Sequence, residues 1–348
     1  MSTQPALTAL DDALAAGGEV VFGRLGRLGR IRLNRPEVIN ALTTAMVVAI
    51  REKLEAWAHD DAITSVLIDG AGARGLCAGG DVRALRTSLR QGTGAADEFW
   101  TQEYRLNAAI AHYPKPFVAV MDGIVMGGGV GVSAHGRVRL ATERSRIAMP
   151  ETAIGFFPDV GSLYLLSRAP GELGTHLALT GASIGGTDAL ACGLADAVID
   201  SERIDDVVLQ LAAGESLTLP DGAGTGELAS HRGWIDPCYA GDDPAAILQS
   251  LRAHPATAAR AAADVLSTRS PLAVAVTLEA IRRARTMASI DEVLRQDRVV
   301  AHAFAAEPDF VEGVRAVLVD RDHAPQWSHR SLTDVPRVKV LRMFDDRR

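Results

Sequence analysis

Two stretches of the chain place glycines soon after a strand-like run. Ser65–Asp69 leads into Cys77-Ala78-Gly79-Gly80-Asp81, and Phe117–Met121 leads into Gly127-Gly128-Gly129. Glycine lets the backbone approach a ligand closely, and a helix that follows opens with N–H groups that lack internal partners. Two such turns on neighbouring strands can aim two donors at one oxygen, which suits a developing oxyanion. The same spacing also fits two ordinary tight connections. Three acidic residues add proton chemistry. Glu103 shares a helical face with Phe99, Leu106 and Ile110, so it points along an apolar stripe. A carboxylate there needs a partner or a shifted pKa, and a partly buried salt bridge would meet that need. Glu151 follows Pro150 after an apolar run, and Asp159 follows Phe156-Phe157-Pro158. Their plainer roles are a first-turn carboxylate for Glu151 and, for Asp159, the N-cap of a helix starting near Val160.

The elements that must position these groups alternate in type. Glu19–Gly23 and Arg30–Leu33 read as strands, with Gly26 and Gly29 as turn material between them. Thr43 or Thr44 caps a helix to about His59 that carries Met46, Ile50, Leu54 and Trp57 on one face. Strands at Ser65–Asp69, Phe117–Met121, Val138–Ala141 and Leu194–Ile199 follow, with helices from near Asp81 and over Ala96–Tyr113. This alternation predicts an α/β fold of parallel units with right-handed crossovers. Residues 1–17 read as a disordered N-terminus, 18–200 as the core and 201–348 as a mostly helical C-terminal region. Within that region, 214–242 reads as a loop and Pro244 to Leu318 as helices.

Composition removes several function classes. The chain has 348 residues, 36 basic and 43 acidic side chains and a net charge of −7, so it offers no basic footprint for nucleic acid. The longest uncharged apolar stretch, Gly123 to Ala134, is too short and too glycine-rich to span a bilayer. Asp11, Asp12 and Glu19, with no basic residue ahead of an apolar block, fit no targeting peptide, and a cytoplasmic location is expected. Cys77, Cys192 and Cys238 are too few and scattered for a disulfide framework or a zinc site, and the nine histidines lack ligand spacing. Gly129-Val-Gly-Val-Ser-Ala matches a dinucleotide pattern but lies beyond the strand end, and Ser133 lacks the second glycine of a nucleophile elbow. Arg315, Asp320, Arg321 and Asp322 read as a solvated charge cluster.

Three motifs in order carry a resemblance. Asn34-Arg35-Pro36 with Asn40-Ala41-Leu42, then Cys77-Ala78-Gly79-Gly80-Asp81, then Gly123 through Gly131, resemble the crotonase (enoyl-CoA hydratase/isomerase) superfamily. Within it, Met149 through Gly161 and Asp309 through Trp327 are similar to the 3-hydroxyisobutyryl-CoA hydrolases. The resemblance implies a spiral of ββα units with a helical C-terminal region, acting on a coenzyme A thioester without a further cofactor or metal. It implies oxyanion donors at the backbone N–H groups of Ala78 and Gly128, and active-site acids at Glu151 and Asp159. Glu103, Gly79, Gly80, Asp81 and Gly127 would line the substrate. Relatives commonly assemble as trimers or multiples of them, so a homo-oligomer is expected. Hydratases of the superfamily carry a glutamate two residues after the glycine triplet, where this chain has Gly131. That departure favours hydrolysis of a 3-hydroxyacyl-CoA over hydration of a short-chain enoyl-CoA; isomerisation, the other part of the alternative, needs only one carboxylate and stays open. Ser162, where the hydrolases usually have glycine, departs from their pattern in turn.

Overall fold

The computed structural model describes residues 18–220 and 226–346. The stretch read as a disordered N-terminus, 1–17, lies outside them. Strands β1 (Val20–Leu25) and β2 (Leu28–Leu33) form an antiparallel hairpin closed at Gly26, whose φ is +54°. Gly29, expected in the turn, instead sits inside β2, where any side chain would strike the Trp57 ring. Beyond the hairpin, β3 (Ser65–Gly70), β4 (Phe117–Met121), β6 (Val138–Thr142) and β8 (Ala197–Ile199) join in parallel, each beside its predecessor.

Both faces of this sheet are covered, which explains why its strands read as continuous apolar runs. Ile31, Val66, Ile68, Phe117, Ala119 and Met121 face the main core. Leu28, Leu67, Val118, Val120 and Leu140 face the other way, onto Val208 and Leu211 of helix Ile204–Ala212. Asp69 is buried on that side and takes hydrogen bonds from both Arg30 and Arg32.

A second, smaller sheet gives the fold its spiral. After β4 and β6 the chain bends and adds β5 (Ile124–Met126) and β7 (Arg146–Ala148), which pair in parallel. Gly75 and Cys77 bridge to Gly123 and Val125, so the loop after β3 repeats the same move. Each turn of the spiral thus contributes one strand to the large sheet and a short one to the small sheet. Helices α1 (Thr44–Ala58), α2 (Val82–Gln91) and α3 (Ala95–Ala111) close the early turns, and the four-residue α4 (Gly128–Gly131) follows β5. Thr43 Oγ1 and Asp81 Oδ1 cap α1 and α2.

Helices then dominate from Ile204 onward, including Pro271–Ala284 and Ile290–Ala305. The segment 214–242 is not a continuous loop, since helices Glu227–Ser230 and Arg232–Tyr239 lie within it. Trp234, Ile235, Cys238 and Tyr239 bury one face of the second helix, and Pro237 inside it hides that pattern from a reading of the sequence. Arg315 is less free than expected, because it pairs with Glu312, Asp320 and Asp322. No helix among the described residues is long and apolar enough to cross a membrane.

One buried side chain ties the loops beneath the first glycine turn. Asn40 is fully buried; its Nδ2 donates to the carbonyls of Ala71, Gly75 and Leu76, and its Oδ1 accepts from Arg35 N. Both Ile39 and Asn40 adopt left-handed backbone, which asparagine tolerates better than most residues. Asn40→Ala strands two buried carbonyls and a half-buried third, and is expected to cost about 2–4 kcal/mol of stability. Urea denaturation measures this, and an unchanged midpoint would show that the loops are held by something else.

Candidate active site

The two glycine turns meet back to back. Cys77 N donates to Ile124 O and Met126 N donates to Cys77 O, which sets the first turn alongside the second. A Cβ on Gly79 would lie 3.6 Å from Gly128 N, and one on Gly128 would lie 3.3 Å from Gly80 N. Gly79 and Gly127 have φ of +112° and +51°, so the close approach depends on glycine.

The oxyanion donor on the first turn is not Ala78. Its N–H is already spent on Ile39 O at 2.9 Å. Leu42 bridges the strand-like end of the turn, donating to Gly79 O and accepting from Asp81 N. Gly80, between those two bonds, turns its N–H away from Leu42, and no acceptor among the described residues takes it. The N–H of Gly128 opens α4 and has no carbonyl one turn back. The structure therefore pairs Gly80 with Gly128 as the two converging donors. Asp81 is placed beside them, but its side chain is engaged: it caps α2 and pairs with Arg35 at 3.3 Å.

The three acids close over this point. Glu151 opens the short 3-10 turn Glu151–Ile154, and its Oε1 lies 2.8 Å from where a Gly127 Cβ would stand. Glu103 projects from α3, and its Oε1 would collide with any side chain on Gly128. It is 2% exposed and makes no ion pair among the described residues, so the salt-bridge reading does not hold. Asp159 does not cap a helix either. The nearby helix runs from Ser162 to Leu166 with Gly161 at its N-cap, and Asp159 Oδ2 instead accepts from the Tyr104 hydroxyl at 2.7 Å. Between them Val160 sits at φ +53°, a strained conformation for a β-branched residue.

Burial dominates the electrostatics. It raises Asp159 to about 7, with the Tyr104 hydroxyl pulling the other way. It holds Glu103 well above the usual carboxylate range, aided by the charges of Asp159 and Glu151, and does the same to Glu151, aided by Asp159. Cys77, beneath the first turn, is pushed up to about 12 by burial and stays a thiol. Buried carboxyls that hold their protons more tightly than usual, beside two convergent donors, suit acid–base work on a polarised carbonyl. Among the described residues no cluster of His, Cys, Asp and Glu is arranged to hold a metal.

Sequence reasoning missed three contributors and mistook the role of a fourth, Gly80, which it placed only along the substrate. Tyr104 follows Glu103 directly and reaches Asp159. Asp297 interrupts the stripe Val293, Val300 and Phe304 on its helix, the same signal that singled out Glu103, and is fully buried. Asn107 lies one turn beyond Glu103, buried, with neither end of its amide hydrogen-bonded. The Gly80 N–H is the fourth, and only the bridge pattern exposes it.

Residue 131 is closed to any side chain. A Cβ there would stand 2.8 Å from Asn107 Nδ2 and 2.8 Å from Val160 Cβ.

The raised Asp159 gives a signed expectation. In the unfolded chain it ionises near its ordinary value of 3.8, and in the folded protein near 7. The folded state thus holds the extra proton across that window, and stability is lost as pH rises through it. Asp159→Asn removes this penalty, so its stability relative to wild type should climb by about 2–3 kcal/mol from pH 5 to pH 8. Denaturant titrations at the two pH values decide it, and a constant difference would contradict the burial argument.

Comparison with known proteins agrees with this geometry. A family model described as enoyl-CoA hydratase/isomerase matches residues 28–344. The mitochondrial 3-hydroxyisobutyryl-CoA hydrolase of Rattus norvegicus is 39% identical over 91% of this chain and 86% of its own. The Homo sapiens protein of the same name is 36% identical over 94% and 89%. Among solved structures, a carnitinyl-CoA dehydratase from Mycobacterium thermoresistibile is 47% identical with a TM-score of 0.89. An enoyl-CoA hydratase from Rhodobacter sphaeroides 2.4.1 is 39% identical with a TM-score of 0.91; for each, the match covers 94% of this chain and 97% of the other. The ββα spiral, the paired glycine turns and these similarities agree: the chain belongs to the enoyl-CoA hydratase/isomerase family and, within it, to the 3-hydroxyisobutyryl-CoA hydrolases.

Proposed function

We propose that the chain hydrolyses a 3-hydroxyacyl-CoA thioester, with 3-hydroxyisobutyryl-CoA as substrate, giving the free hydroxy acid and coenzyme A as in valine breakdown. The names of its relatives support the substrate class, but the solved neighbours named as a dehydratase and a hydratase put two reactions on one fold. The observation that favours hydrolysis over hydration is the closure of residue 131. Addition of water to a double bond by this superfamily uses two carboxylates on one water. Here the second has no room, because Asn107 and Val160 occupy the place where its side chain would begin.

In the proposed reaction the thioester oxygen lies between the Gly80 and Gly128 N–H groups, which stabilise the charge it gains as the carbonyl carbon is attacked. Glu151, in its ionised form against Gly127, drives that attack by one of two routes. It adds to the carbon itself to give an acyl anhydride that water then opens, or it takes a proton from an attacking water. In both, the carbon–sulfur bond breaks, a carbon–oxygen bond replaces it, and the departing thiolate gains a proton. Asp159, fixed by Tyr104 through Oδ2, keeps Oδ1 for the substrate hydroxyl or for that proton. A site that bonds a hydroxyl discriminates against esters lacking one, whose entry leaves its polar groups unpaired. Glu103 bears on Gly128 and orients the second donor.

The test is thiol release from 3-hydroxyisobutyryl-, 3-hydroxypropionyl-, acetyl- and crotonyl-CoA, with Glu151→Gln and Asp159→Asn beside wild type. Release is expected from the 3-hydroxy esters only, falling by about 10²–10⁴-fold in Glu151→Gln. Consumption of crotonyl-CoA without thiol release would overturn the hydrolase reading in favour of hydration or isomerisation. Heavy-oxygen label in the Glu151 carboxyl after a single turnover in labelled water would establish the anhydride route, with water opening it at the glutamyl carbon.

A further inference from the structure

Asp297 is a carboxyl with no evident reason to be where it is. It sits on the apolar stripe of helix Ile290–Ala305, between Val293 and Val300, with no exposed surface. Its Oδ1 has no partner, and its Oδ2 makes one bond, accepting from Gly161 N at 2.8 Å. Burying a carboxyl in such a stripe lowers stability unless its bond serves a purpose. That bond falls on the turn that carries Asp159.

The turn is strained and held from several elements. Val160 and Gly161 are consecutive left-handed residues at φ +53° and +72°. Valine resists this conformation because its branched Cβ crowds the backbone. His135, in the loop after α4, holds Val160 O through Nε2 at 2.7 Å, so that nitrogen carries the proton. Burial lowers the His135 pKa to about 4 and keeps the ring neutral. The Val160 side chain rests against Gly131, and Ser162 N returns to Asp159 O at 2.9 Å. A non-glycine residue persists in such a conformation only where its surroundings over-determine it, and such residues gather at functional sites.

We propose that Asp297 and His135 are positioning residues: together they hold Val160 and Gly161 left-handed and so fix Asp159 on the Tyr104 hydroxyl. Neither is required to touch the substrate. Without the Asp297 bond, Val160 relaxes toward ordinary backbone, the turn rotates, and the Asp159 carboxyl leaves Tyr104.

The inference rests on the hydrolase reading for its kinetic test, so a structural readout accompanies it. Hydrolysis of 3-hydroxyisobutyryl-CoA is measured for Asp297→Leu, Asp297→Asn and His135→Leu, and for the two leucine variants combined with Val160→Gly. Asp297→Leu and His135→Leu should each lower kcat by roughly tenfold to a hundredfold while KM moves by less than about threefold. Asp297→Asn keeps an oxygen for the Gly161 N–H and should stay within about threefold of wild type. Glycine at 160 adopts the left-handed turn unaided, and should restore about fivefold or more to both leucine variants. Loss of packing alone would not be repaired by removing a further buried side chain. If Asp297→Leu does not fold, His135→Leu carries the same test. A kcat within about twofold of wild type in the leucine variants that fold, or no recovery with Val160→Gly, would overturn the proposal. Crystal structures of the leucine variants read the turn without turnover: Val160 should leave the left-handed region and Asp159 part from Tyr104. An unmoved turn there refutes the positioning role, whereas a wild type that releases no thiol refutes only the hydrolase reading.

Discussion

Glu103 and Glu151 lie against the paired glycine turns and Asp159 against Tyr104, with no ion pair to any of them among the described residues, and Asp297 adds a fourth buried carboxyl behind. The space they share cannot carry the charge the four would bear in water. Burial raises all of them, and the charge of Asp159 pushes up the other three. Their titration therefore belongs to the group rather than to any single residue. A group in this condition gives up its protons one at a time, so protonated and ionised carboxyls stand side by side, which is what a reaction that both takes and returns a proton requires. It also leaves the Gly80 and Gly128 N–H groups as the main positive ends facing the reacting oxygen, so stabilisation of charge there falls to the backbone.

Only a glycine surface lets the acids come this close. Gly127, Gly128 and Gly131 belong to one short stretch, yet each lacks a side chain for a different neighbour: Glu151, Glu103 and Asn107 respectively. The strain this places on the loops is met elsewhere. Asn40 gathers three carbonyls beneath the first turn, and the buried Asp69 with Arg30 and Arg32 stitches β2 to β3 just ahead of it. Rigidity is supplied by the sheet, and the chemistry is placed on turns at its edge.

How much of this was legible depended on the range of the interaction. Strands β3 and β4, helices α1 and α3 and the position of Glu103 follow from local periodicity, because burial repeats with the element's own geometry. Asp297 obeys the same rule, but its partner is 136 residues away and nothing local ties its helix to Gly161. The three-residue strands β5 and β7 are too short to show any alternation. The step from Ala78 to Gly80 as donor needed the Leu42 bridge, a pairing across 38 residues that fixes which N–H groups of the turn remain free. The resemblance to the superfamily supplied the roles of Glu151 and Asp159, which their spacing alone left open between catalysis and ordinary turn chemistry.

Shared fold cannot settle the reaction, since this chain superposes at a TM-score of 0.91 on a protein named as a hydratase and carries no carboxylate at residue 131. The difference is steric before it is chemical. Hydration by two carboxylates requires a second acid to rise from α4, and in this chain the wall of α3 and the Val160 turn are packed directly onto that helix. Moving them back to admit a glutamate would displace Asn107 from its place beside Glu103, and Val160 from the turn that presents Asp159. The constraint that keeps a carboxylate from residue 131 is therefore built from the parts that arrange Glu103 and Asp159, and a single substitution there would disturb those acids before it could place another beside them.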